Sequence, residues 1–456
     1  MHLSYRGLLA VAVALGFSVD TVSAKVTPQE AAQLKSTLTP LGAEKAGNAA
    51  GTIPAWTGGI TSMPAGIDPT GKLPDFYASD AKVLTINAGN ADQYADKLAP
   101  GTLYLLKHYA GYAVNVYPTH RPEAAPQWFY DTTYANATSA EIKDTNWVIN
   151  AKGGVPFPIP KTGIEAVWDL NLTWYGVNTT ALTSGYIVPP NGTPLLNATT
   201  FDQRSRPYAD MSITGGPFFQ YYLTALESTV GPPNRVGNAI LAWNTFNQEA
   251  APQITWQYLV GQRRLRKAPQ VTYDGAYPDC GGIMSVDELA LFNGAPDRYD
   301  IKLVGKKEQY VPYDNNGMDS VPASRLLGPN YLNPPDTRWE LHRVWILDFT
   351  LAAGKRHLLP HRRVYLDEDT WQGTTSEDYD GNGTLAKIGQ AFPHEVPTFP
   401  GTFAASNVFY DTRGSGYCFV NAVTGDHPKE RMFEPKKGGY AESFFSPATI
   451  AAESSY

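Results

Sequence analysis

The chain has 456 residues, a formal charge of −7, 17% charged and 12% aromatic residues, and 36 prolines. Its charged fraction lies below the ~25% usual for soluble proteins, yet its apolar content is ample for a core, which excludes disorder as the bulk state. A net acidic chain lacks the Lys and Arg surplus that a phosphate backbone demands, so nucleic acid is excluded as a partner.

Arg6, the apolar run Leu8–Val19 and the small residues Val22-Ser23-Ala24 read as a secretory signal peptide cleaved after Ala24. The run is too short to span a bilayer, and no later run is long and apolar enough to do so. No cysteine follows it, so a lipid anchor is not expected. The expected division is a signal peptide over 1–24, an N-terminal helical and loop extension over 25–135, and an antiparallel β domain over 136–456.

Thr27 caps a short predicted helix to Leu38, with Pro28 in its first turn and Glu30 completing a capping box. Leu103, Leu106 and Ala110 share one helical stripe and Leu105, Tyr109 and Tyr112 another. A helix so apolar all round belongs in a core, or forms a lid over an apolar cavity. Scattered Pro and Gly then favour short strands over long helices. Strands are predicted over Arg206–Ile213, Gly216–Leu226, Ala239–Phe246, Ile254–Lys267 and Arg298–Tyr313, with Ser285 and Glu288 boxing a short helix over Val286–Phe292.

The clearest signal is Arg338–Gly373. Trp339, Leu341, Trp345, Leu347, Phe349 and Leu351 recur every second position, which is the period of a half-buried strand. A turn at Gly354 and a returning strand over Arg356–Asp367 make a hairpin. With Leu351 opposite Arg356, Leu358, Val364 and Leu366 join the tryptophan face. The other face carries Glu340, His342, Asp348, His357, His361 and Arg363 and reads as mostly wet. Further strands are expected over Leu385–Phe392 and Thr402–Val423. Cys280 and Cys418, 138 positions apart, either form one disulfide, worth ~4 kcal/mol in the chain-entropy model, or remain two buried thiols.

The wording of several blocks resembles one exported bacterial family, the domain of unknown function DUF1329, grouped with outer-membrane lipoprotein-sorting proteins. These blocks are LTPLGAEKAGNAAGTIPAWTGG (Leu38–Gly59), GGVPFPIPKTGIEAVW (Gly153–Trp168), GQRRLRKAP (Gly261–Pro269), FNGAPDRYDIKLVGKKEQYVPY (Phe292–Tyr313), RWELHRVW (Arg338–Trp345) and VYLDEDTW (Val364–Trp371). The resemblance implies a mainly β, α+β fold like that of the periplasmic lipoprotein carriers. In that fold a large curved antiparallel sheet, an incomplete β-barrel, holds a hydrophobic cavity with helices over its concave face. It implies a periplasmic setting beside resistance-nodulation-division-type exporters and outer-membrane proteins, and it supplies no catalytic residue. Pro360-His361 departs from the unbroken strand expected there.

Candidate chemistry is sparse. Asp378, Asp380, Asn382 and Gly383 resemble the start of a calcium loop, but Gly389 stands where the bidentate Glu belongs. His357 and His361 have zinc-helix spacing, which Pro360 breaks; on a strand they lie about 13 Å apart, with His342 no closer, so no metal site is expected. No Gly-x-Ser-x-Gly elbow occurs. Asp367, Glu368 and Asp369 read as a solvated turn. Arg264 and Arg266 point together on a basic strand, either as a charged sheet edge or as a contact for anionic headgroups.

The reading is a non-enzymatic, cofactor-free periplasmic protein that binds a lipid or lipid-like ligand in transport towards the outer membrane. Trp339, Trp345, Leu347, Phe349 and Leu358 are its expected cavity wall. The alternatives are a module that docks onto an exporter through loops such as Gly47–Gly59, and an ester hydrolase, for which no nucleophile is offered.

Overall fold

The computed structural model describes residues 26–68, 72–144, 146–215, 220–248, 250–251, 253–268, 273–427, 431–436 and 438–453. The expected leader, with Leu8–Val19 and the cleavage position at Ala24, lies outside the described residues. Among those described, the helices are α1 (Pro28–Ala31), α2 (Pro100–His108), α3 (Gln127–Ser139), α4 (Gly163–Leu172), α5 (Ala323–Leu326) and α6 (Pro447–Glu453). The strands begin with β1 (Leu84–Ile86), β2 (Val114–Val116), β3 (Glu141–Lys143), β4 (Trp147–Ile149), β5 (Asn178–Val188) and β6 (Leu195–Ser205). They continue with β7 (Tyr221–Gly231), β8 (Ala239–Thr245), β9 (Ile254–Leu259), β10 (Arg264–Lys267), β11 (Tyr299–Pro312) and β12 (Trp339–Leu351). The last are β13 (His361–Asp367), β14 (Gly373–Tyr379), β15 (Leu385–Glu395), β16 (Thr402–Asp411), β17 (Gly416–Ala422) and β18 (Arg431–Pro435).

Sixteen strands form one sheet in the order β1-β2-β12-β13-β14-β15-β16-β17-β5-β6-β7-β8-β9-β10, with β11 on β12 and β18 on β5. Among the described strand pairs, only β2 with β12 is parallel. The sheet does not close, in keeping with an incomplete barrel, and β3–β4 stands apart as a hairpin. Its middle is buried on both faces. Leu347, Phe349, Val364, Leu366, Phe403, Phe409 and Val420 form one core with Val167 and Leu170 of α4, Phe129 of α3 and Leu291. Ile388, Phe392, Val408, Tyr410, Tyr417 and Phe419 form another with Leu105 and Leu106 of α2 and Leu326 of α5. The apolar helix is therefore core rather than a lid.

Local chemistry explains most starts and stops. Both capping boxes form: Thr27 N donates to Glu30 Oε2 at 2.8 Å, and Ser285 N to Glu288 Oε2 at 2.6 Å. The second opens only a 3-10 segment, Val286–Leu291, kinked at Leu289 and Ala290. The β12–β13 hairpin pairs Leu347 with Val364 and Trp345 with Leu366, and Leu351 N donates to Pro360 O. Its loop thus runs to Pro360 instead of turning back at Arg356. Proline has no N–H for the ladder, so β13 starts after it. The displacement is even, so Val364 and Leu366 keep the tryptophan face, while Leu358 falls in the loop.

Other expectations are corrected. Arg206–Ile213 is a turn, because Pro207 cannot continue β6. Ile254–Lys267 is a hairpin around Arg263 at φ 47°. Thr402–Val423 is likewise split, into β16 and β17. Glu340 and His342 on the supposedly wet face are 0% and 1% exposed, because the segment carrying His120 and the ring of Tyr313 cover them. The basic strand β10 is indeed a sheet edge, with Arg264 and Arg266 exposed.

The first turn of α2 rests on β14 and β15. A Cβ at Gly101 would lie 2.8 Å from Ile388 Cγ2, and its N–H donates to Glu377 Oε1 at 3.1 Å. A helix N-terminus favours the anion by ~0.3–1 kcal/mol. Burial opposes it and wins: the carboxyl is pushed from 4.5 up to about 7. A raised carboxyl contributes stability below its unfolded pKa and loses it as pH rises through the folded value, at up to ~1.4 kcal/mol per pH unit. Glu377→Gln should therefore gain stability relative to wild type between pH 5 and pH 8. Urea unfolding at both pH values checks this, and a pH-independent difference would count against it.

Candidate functional site

An apolar cleft of about 960 Å³ opens between α3, the β3–β4 hairpin and the adjoining ends of β7 and β8. Its floor is aromatic. Tyr208 and Phe246 meet at 5.8 Å, and Trp168 of α4 stacks on Phe246 from behind, also at 5.8 Å. Asn136 of α3 anchors one wall, its amide reaching Gly154 O at 3.1 Å and the Tyr208 hydroxyl at 3.3 Å. Tyr208 in turn donates to Gly154 O at 2.6 Å. The chain turns at Gly153 with φ 77°, where a Cβ would lie 2.9 Å from Thr132 Oγ1, so a side chain would close the space. Trp147, Ile149 and the exposed Met211 rim the mouth. Lys152 is the one charged side chain among the described lining residues. Burial lowers its pKa against the charge of Asp210, and its Nζ donates to Pro207 O at 2.6 Å.

Beyond Tyr222 lies a smaller chamber of about 140 Å³ over β6–β9, lined by Tyr175, Arg204, Arg206, Glu227 and Asn407. It is polar. Burial and the neighbouring Arg204 push the Arg206 guanidinium down to about 9, and burial with the Asp202 charge pushes Glu227 up to about 8. The chamber is roofed by residues 277–293, a strap fixed in three ways. Cys280 and Cys418 are bridged, with Cα atoms 5.5 Å apart, tying the strap to β17. Lys387 Nζ reaches Glu288 Oε2 at 2.5 Å. Arg362, fully buried, joins Asp287 on the strap at 3.1 Å to Asp378 on β14 at 2.9 Å. Burial alone would raise Asp287, but Arg362 and hydrogen bonds from His357 and Ser285 outweigh it and hold the carboxyl at about 2.

The expected wall residues do not meet at either opening. Trp339 belongs to the core cluster that includes α2 and α5, and Leu347 and Phe349 to the one that includes α3 and α4, all within 1% exposure. Trp345 is half-buried between Trp371, stacked at 5.9 Å, and Lys306. Leu358 is 71% exposed. That face is filled because α4 and the strap pack against it. The histidines disperse: His357 joins Asp287 and His361 joins Asp348, both at 2.8 Å, while His342 lies beside Glu340 and Asp367. Asp378 is spent on Arg362, and Gly389 sits mid-strand against Ser376, so the calcium-like spacing belongs to a hairpin turn. The Asp367–Thr370 turn forms, Thr370 N donating to Asp367 Oδ2 at 3.0 Å, but it is buried rather than solvated.

The family described as "Protein of unknown function (DUF1329)" matches residues 85–451. This chain belongs to that family. It is 36% identical over 450 residues to the uncharacterized protein PA3922 of Pseudomonas aeruginosa, covering 97% of each chain. Among solved structures it is similar to a DUF1329 family protein from Desulfovibrio piger, at 12% identity and TM-score 0.42, covering 60% of this chain and 92% of that one. It is also similar to the LolA superfamily protein NE2245 from Nitrosomonas europaea, at 8% identity and TM-score 0.32, covering 57% and 90%.

In this DUF1329 protein no contiguous stretch announces the cleft, since its lining comes from segments near 132–152, 208–220 and 245–251. The strap offered a clearer signal, with Cys280 and the capping box only five positions apart. Arg362→Met should cost about 3–5 kcal/mol, because it leaves two buried carboxylates without their shared cation. A loss below ~1 kcal/mol in denaturant unfolding would contradict that role.

Proposed function

We propose that this DUF1329 protein is a binding protein for a hydrophobic ligand, carried by one observation: the preformed cleft over Tyr208 and Phe246 is large, mostly apolar and, among its described lining residues, charged only at Lys152. A pocket of this size and lining suits a ligand that is itself apolar. Burying ~300 Å² of such a ligand would contribute on the order of 7 kcal/mol before the cost of association is subtracted, which is enough for reversible capture. Reversible capture without a nucleophile is what a carrier needs.

The fuller reading is a lipid or lipid-like cargo, moved through the periplasm towards the outer membrane after cleavage of the leader at 24. A resistance-nodulation-division-type exporter or an outer-membrane protein would be its partner. The exposed Arg264 and Arg266 on the free edge of β10 would meet anionic headgroups while cargo is exchanged. Among the described residues no helix is long and apolar enough to cross a membrane.

Ala135 faces the cleft from an exposed position on α3, so Ala135→Trp fills the space without touching the core. Binding of a fluorescent fatty acid should weaken at least about tenfold, the equivalent of ~1.4 kcal/mol. Val304→Asp, on the exposed surface elsewhere, should bind like wild type. Unchanged binding in Ala135→Trp would sink the assignment of the cleft.

A further inference from the structure

The turn after β13 brings Asp367 and Asp369 against the imidazole of His342 on β12. One ligand atom from each lies within 4.8 Å of the other two, and none of the three residues is more than 5% exposed. Each is braced from outside. His342 Nε2 lies 3.3 Å from Glu340 Oε2, and the ring stacks on Tyr313 at 3.7 Å. Asp367 Oδ2 accepts from the Tyr313 hydroxyl at 3.1 Å and from Thr370 N at 3.0 Å. Asp369 is held by Arg121, through Nε at 2.8 Å and Nη2 at 2.6 Å.

Both Asp369 oxygens accept from Arg121, and an inner atom remains on His342 and on Asp367. Asp367 Oδ1 is fully buried and has no hydrogen-bond donor. It faces His342 Nδ1 at 3.6 Å, which is too long for a hydrogen bond. Two atoms that coordinate one ion at about 2.1 Å each, at a tetrahedral angle, stand ~3.4 Å apart. The separation therefore fits two ligands of a shared ion better than a donor and its acceptor. The carboxylate on Nε2 is the brace that metal-bound imidazoles characteristically have, since it aims the opposite nitrogen inward.

The surrounding charge agrees. Glu340 is matched by Arg338 and Asp369 by Arg121, while Asp367 has no guanidinium of its own among the described ion pairs. An imidazole with two carboxylates suits Zn²⁺ or Mn²⁺ rather than the all-oxygen shells of Ca²⁺. We propose that His342, Asp367 and Asp369 bind a divalent first-row transition ion, which clamps β12 to the turn after β13. Through Arg121, that turn also holds the chain at Glu44, Lys45 and Pro54. The burial makes the site structural.

Protein isolated from exporting cells without a metal-affinity step should contain about one transition ion per chain by elemental analysis. After EDTA treatment its melting temperature should fall, and Zn²⁺ or Mn²⁺ added alone at micromolar level should raise it by a few degrees. The rise should vanish in Asp367→Asn and in His342→Gln. No bound metal and no shift with either ion would overturn the proposal. A shift that persists undiminished in both variants would also overturn it, by placing the ion elsewhere. If neither variant folds, X-ray absorption of the ion bound to the wild type decides: one imidazole with carboxylate oxygens supports the site, and thiolate or several imidazole ligands overturn it.

Discussion

A sixteen-stranded sheet that never closes cannot bury its own faces, and everything else in this chain answers that constraint. A barrel would hide one face inside itself and pair its edges. Here the middle strands are covered on one side by α4, α3 and the 277–293 strap, and on the other by α2 and α5. The edges end in the short strand β1 and the arginine-bearing β10, features that discourage further pairing. Covers of this kind are mostly irregular backbone, which brings polar groups inside. Buried ion pairs follow from that, including Arg362 with Asp287 and Asp378 and Arg121 with Asp369. Such pairs add little net stability over apolar packing, but losing one partner strands the other. They act as fasteners that hold the strap and the turn after β13 in one position.

The cleft lies where this covering thins. Past the ends of β7 and β8, among the described residues, α3 and the β3–β4 hairpin line the opening above the aromatic floor. Because Trp168, Tyr208 and Tyr222 are packed together beneath it, the floor is part of a core and exists before any ligand arrives. Preformed apolar surface costs less to bind than surface that must first be assembled.

How much of this was legible depends on where the physical signal was local. The capping boxes at Thr27 and Ser285 were readable because the residues that make them are three positions apart. The alternation from Trp339 to Leu351 correctly gave β12 and its buried face, for the same reason. Alternation could not say whether that face met a cavity or other side chains, since both demand the same oily residues; α4 and the strap, remote in sequence, decide it. The β5–β6 hairpin escaped notice because its text, NTTALTSGYIV and LLNATTFDQRS, is rich in threonine and carries no clean alternation, being largely buried on both faces. His342 was weighed against His357 and His361, its neighbours in type. Its actual neighbours are carboxylates that a buried turn delivers. The cleft needs three distant segments and left no trace in any one of them.

The most direct test of a hydrophobic-ligand carrier is native mass spectrometry of the protein isolated from the cells that make it, with solvent extraction of the same sample. The account predicts a near-stoichiometric apolar molecule that leaves on extraction and rebinds when added back. A bare protein mass that no added lipid or lipid-like molecule alters would contradict it.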